Sequence, residues 1–96
     1  MTLQQLVEKH RSEILELASK HGAKRVRVFG SVARGDSDQN SDVDFLVDME
    51  SGRSLLDMGG LLMDLRDLLK CEVDVVTENG LKERIRTRVL NEAIPL

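Results

Sequence analysis

The chain has 96 residues, 41% hydrophobic and 32% charged, with a formal net charge of −3. That length supports one core and predicts a single domain over residues 1–96, leaving a large acceptor to be held partly by another protein. The acidic balance and the scarcity of aromatics, Phe29 and Phe45 alone, argue against general nucleic-acid binding; the lone Cys71 excludes an internal disulfide; and no apolar run reaches membrane-spanning length.

The start of the chain, Met1 to Gln5, has no basic stretch followed by an apolar core, so a cytoplasmic protein is expected. Thr2 and Gln5 have the spacing of a capping box, and Leu3, Leu6, Val7, Ile14, Leu15 and Leu17 recur at helical intervals. These predict a first helix from about Leu3 to Lys20, stopped near Gly22, with His10 and His21 as surface residues. Lys24 to Phe29 alternates with period two and predicts a strand that Gly30 breaks. Ser31 to Ser41 is small and polar, as a turn or short helix followed by an exposed loop would be.

Val43 to Val47 predicts the second strand, with Val43, Phe45 and Val47 on one face and Asp42, Asp44 and Leu46 on the other. Ser54 with Asp57 predicts the cap of a helix running to Lys70, whose buried stripe includes Leu62, Leu65 and Leu69. The Gly59–Gly60 pair weakens that helix by about 1 kcal/mol per glycine, which implies a close approach or a bend there. Residues 72–77 predict a third strand with Val73 and Val75 opposite Asp74, and a last helix follows from about Leu81 to Asn91. The expected fold class is α+β, a small mixed sheet of about three to four strands flanked by helices.

The chemistry lies in acids placed where the pattern reads as buried strand. Asp42 and Asp44 project from one strand face, and Asp74 joins them if the third strand lies beside the second in register. Unpaired charge in such segments is unfavourable, and converging carboxylates suit a hard cation such as Mg²⁺. Gly30 after a strand lets the backbone approach a phosphate, and Ser31 at a helix start offers hydroxyl and amide donors. Together these residues fit two-metal transfer of a nucleotidyl group from a nucleoside triphosphate, with metals about 3.5–4 Å apart.

Taken singly, each feature has an ordinary reading: Gly-Ser as a turn and cap, two strand-edge acids as solvated residues, the basic side of the last helix as a solvated face. Asp36, Asp38 and Asn40 invite a calcium-loop reading, but counting from Asp36, Ser41 replaces the required glycine and Val47 the bidentate glutamate. Asp36 and Asp38 are therefore read as solubilising the loop. Arg84, Arg86 and Arg88 stay as minor candidates for contact with a triphosphate or an acidic partner. The combined spacing of glycine, serine and three acids favours the catalytic reading.

Gly30-Ser31 followed by Asp42-Val43-Asp44 resembles the signature of the polymerase-beta-like nucleotidyltransferases. The longer strings, Gly30 to Gly35, Ser41 to Val47, Val73 to Thr77 and Leu90 to Ala93, resemble the minimal nucleotidyltransferase (MNT) branch over nearly the whole chain. The resemblance implies Asp42 and Asp44 as metal ligands. It makes Asp74 a third acid that binds metal or draws the proton from the acceptor hydroxyl, and Gly30 and Ser31 the grip on the triphosphate. Arg34 would brace the loop or meet phosphate. It further implies ATP as substrate, two Mg²⁺ ions, and an antitoxin role against a HEPN-type toxin through transfer of AMP to a tyrosine hydroxyl. Having no tyrosine, the chain cannot be its own tyrosine acceptor. Two other readings stay open: an antitoxin that neutralises by binding alone, and transfer to a small molecule of aminoglycoside type, for which a homo-oligomer would have to build the pocket.

Overall fold

A computed structural model describes residues 1–38 and 40–96; Gln39, inside the expected loop, lies outside the described residues. The elements run α1 (Leu3–Lys9), α2 (Arg11–Lys20), β1 (Ala23–Phe29), α3 (Gly30–Arg34), β2 (Val43–Met49), α4 (Leu55–Leu69), β3 (Val73–Val76), a 3₁₀ turn (Glu78–Gly80), α5 (Glu83–Glu92) and β4 (Ile94–Pro95). The sheet order is β3-β2-β1-β4. β1 pairs antiparallel with both β2 and β4, while β2 and β3 are parallel with α4 as the crossover between them. This is the expected α+β mixed sheet, with a fourth strand at the end of the chain.

The helix starts follow their caps. Thr2 and Gln5 bond reciprocally at 2.9 and 3.0 Å, and the Asp57 carboxylate accepts from the Ser54 amide at 2.8 Å. The single first helix expected from the sequence is instead two. His10 leaves helical geometry between α1 and α2 (φ −102°, ψ 17°), and its ring nitrogen lies 2.8 Å from Glu13.

Alternation then divides the sheet into two unlike faces. Val26, Val28, Val43, Phe45, Val47 and Val73 pack with Val7, Ile14 and Ala18 and with Leu61, Leu65 and Leu69 of α4; Leu61 rather than Leu62 completes that stripe. Gly60 sits where α4 passes His21: an added Cβ would lie 2.8 Å from the ring. Contrary to the surface reading, His21 is largely covered and its Nε2 lies 2.6 Å from Asp64 of α4. Nothing crowds Gly59, so the close approach belongs to Gly60 alone.

The opposite face is smaller and partly charged. Leu46 is fully buried there with Leu81 and Val89, joined by Phe29, Val76 and Ile85, so α5 covers the middle of this face. Next to it Arg27, 6% exposed, reaches Glu78 at 3.1 Å and Asp48 at 3.6 Å. The last strand is the two-residue β4, whose Pro95 is tolerated because it lies at the sheet edge.

Candidate active site

The parallel register supplies what sequence alone left conditional: Asp44 on β2 is paired directly with Asp74 on β3. On its other side Asp44 faces Phe29, so one row across three strands reads Phe29, Asp44, Asp74. Asp42 precedes β2 and is exposed, as is Asp74, whereas Asp44 is half-buried between its neighbours. Val43 and Val73, one step back in the same ladder, turn into the core and anchor both acids. The alternation that buries the valines is what presents the carboxylates.

Electrostatics mark Asp44 as the strained member. Partial burial, then the charges of Asp74 and Asp42, push its carboxyl from 3.8 up to about 6, with Arg34 the one cation opposing them. Excess negative charge in a half-covered site attracts a cation, and an all-oxygen donor set fits a hard one. Among the described residues no three His, Cys, Asp or Glu side chains are already gathered at ligand spacing. The acids fit Mg²⁺ by donor type, and the register brings Asp44 and Asp74 side by side.

The turn between β1 and α3 abuts this row. Gly30 has φ +72°, and a Cβ on it would collide with Asp44 Oδ2, so glycine is required by both backbone and space. Ser31 follows in the first turn of α3. Arg34 points its Nε at Asp36 (3.2 Å) and its Nη1 at Glu92 (3.3 Å), contacts that a loop brace would make. Glu92 was not singled out as a site residue. Its carboxylate accepts the Gly30 amide at 2.6 Å. The available signal was its place three residues after Val89 on the buried side of α5, where a charge needs a partner.

Beside Asp74, a groove of about 310 Å³ is lined by Phe29, Val76, Leu81, Lys82, Arg84 and Ile85. Arg84 thus reaches the edge of the site. Arg86 turns back to the Leu81 carbonyl at 3.4 Å, whereas Arg84 and Arg88 are exposed.

This geometry agrees with the comparison to known proteins, in which residues 7–96 match the model for the nucleotidyltransferase domain. The chain belongs to that family. Among its relatives, protein adenylyltransferase MntA of Thermococcus cleftensis is 42% identical over 79 residues, covering 82% of this chain and 80% of that protein. A solved structure provisionally assigned as a minimal nucleotidyltransferase aligns with a TM-score of 0.87 and 51% identity, over 100% of this chain and 97% of the other. A toxin–antitoxin assembly solved with AMP-PNP shares the fold at a TM-score of 0.74 and 21% identity, over 88% of this chain and 69% of that one. In this nucleotidyltransferase Asp44 and Asp74 stand on adjacent strands, Asp42 just precedes the first of them, and the Gly30 turn lies against Asp44.

Proposed function

We propose that this nucleotidyltransferase is a Mg²⁺-dependent protein adenylyltransferase that moves AMP from ATP to a hydroxyl, a tyrosine's in the first instance, on a HEPN-type toxin, and so acts as its antitoxin in the cytoplasm. The observation that carries the reading is the Asp44–Asp74 register pair lying against the Gly30–Ser31 turn. Support for the protein substrate comes from the adenylyltransferase relative, and support for nucleotide and toxin from the shared fold of the AMP-PNP assembly.

In the reaction the acceptor oxygen forms a bond to the α-phosphorus, the α–β bridging bond breaks and pyrophosphate leaves. Asp42, Asp44 and Asp74 would hold the magnesium, which when bound neutralises triphosphate charge and activates the acceptor hydroxyl. Ser31 offers its donors to the phosphates from the β1 side of the acid row. In-line displacement puts the entering oxygen opposite the leaving pyrophosphate, on the Asp74 side, where the groove with Phe29, Lys82 and Arg84 opens. Asp74 is there to receive the proton or to share the metal.

Because the chain contains no tyrosine, a tyrosine acceptor has to come from the partner. The test is co-expression with a HEPN-type toxin and intact-mass measurement of both proteins. Added adenylyl units on the toxin alone, absent with Asp44→Asn, are expected. An unmodified toxin that is nevertheless neutralised would replace catalysis by occlusion.

A further inference from the structure

The closing helix ends on a carboxylate that bonds the Gly30–Ser31 turn through its backbone. Leu81, Ile85 and Val89 seat α5 on Leu46, Phe29 and Val76, and Glu92 follows on the same side with its side chain 15% exposed. Its Oε2 accepts from the Gly30 amide at 2.6 Å, and both carboxylate oxygens lie 3.3 Å from Arg34 Nη1. One acid thereby ties the first residue of α3 to the last, across a helix of five residues. We infer that Glu92 is a positioning residue that fixes the Gly30–Ser31 turn for a nucleotide's triphosphate by holding the Gly30 amide and the Arg34 guanidinium.

Three features support this. Gly30 stands at positive φ with the Asp44 carboxylate where a Cβ would lie, and because glycine is free to leave that conformation a contact is needed to hold the turn in it. The Gly30 amide has no intrahelical acceptor at the start of α3, and Glu92 meets that need with a charge-assisted bond. Glu92 also adds negative charge beside Asp44, an unfavourable neighbourhood that the amide and guanidinium offset. With Gly30 N–H engaged by Glu92, Gly30 serves through its missing side chain rather than its amide, and phosphate is left to later donors of the turn such as those of Ser31.

The inference rests on the proposed use of ATP, and its test separates the two. Isothermal titration with Mg²⁺–ATP compares the wild type with Glu92→Ala and Glu92→Gln, alongside thermal midpoints and amide hydrogen exchange at Gly30 and Ser31 without nucleotide. Glu92→Ala is expected to weaken ATP binding about tenfold or more and to speed exchange at Gly30. Glu92→Gln, which keeps an oxygen for the amide, recovers part of both, a graded rescue that loss of general stability would not give. Equal or tighter ATP binding by folded Glu92→Ala or Glu92→Gln overturns the inference. A wild type that binds no ATP overturns the proposed function instead, and unchanged Gly30 exchange in the variants then overturns the brace independently.

Discussion

Asp64 and Asp44 are both aspartates at the edge of the same small core, and the fold treats them in opposite ways. Asp64 on α4 has His21 at 2.6 Å and Lys20 at 3.9 Å, and the hydrogen bond from His21 holds its carboxyl below the ordinary value. Asp44 meets burial and two further acids, and its carboxyl is pushed up to about 6. The first region joins α2 to α4 and is electrostatically complete. The second stores unbalanced charge that no folding requirement explains, which is the usual mark of a site built for a ligand.

The largest break in that comparison is Asp44→Asn. Transfer of labelled AMP is expected to fall about a thousandfold or more, because one carboxylate in the acid row is lost while Val43 and Phe45 keep the strand packed. An Asp42/Asp44 double variant assayed for toxin inhibition sharpens the result: retained inhibition would assign neutralisation to binding. The Asp64→Asn variant keeps full transfer, since it lies on α4 at the far side of the sheet.

Next in size is the response to metal. Mg²⁺ that binds only the folded state stabilises it by about 2.7 kcal/mol at a hundredfold excess over its dissociation constant, read as a rise in thermal midpoint. Asp42→Asn or Asp44→Asn is expected to abolish most of that rise, and Asp64→Asn to leave it intact. Equal rises in all of them would place the cation elsewhere.

Without metal, the two aspartates give pH dependences of opposite sign. Asp44 is raised from 3.8 to about 6, so the folded state binds the extra proton and stability falls as pH rises across that interval. Asp44→Asn removes the fall and leaves the metal-free protein more stable at neutral pH by about 1–2 kcal/mol, after allowance for solvent screening. Asp64 is lowered from 3.8, so its contribution is present above that value and is lost as pH falls through the lower folded value. Asp64→Asn is expected to flatten that acid limb, the smallest of these effects, and denaturant titrations from acid to neutral pH read both.

What could be read from the sequence follows from which contacts are local. The alternation around Val43–Val47 and Val73–Val75, the Thr2 and Ser54 caps and the leucine stripe of α4 are all short-range patterns, and the structure keeps them, with Leu61 in place of Leu62 in the stripe. The Asp44–Asp74 pairing needed a parallel register set through a 15-residue crossover helix, which no local pattern specifies. His21 with Asp64, 43 positions apart, and Gly30 with Glu92, 62 apart, were out of reach for the same reason. β4 was missed because two residues, one a proline, carry no strand signal; its register comes from pairing with Arg27 and Val28. The break at His10 falls inside a run of helical spacing that carries no glycine or proline to mark it.

The account stands most directly on the mass of a HEPN-type toxin co-expressed with this chain, measured on the intact protein with wild-type enzyme and with Asp44→Asn. Increments of whole adenylyl units with the wild type, and none with Asp44→Asn, are the expected result. A toxin of unchanged mass with the wild type, or increments that persist with Asp44→Asn, would contradict it.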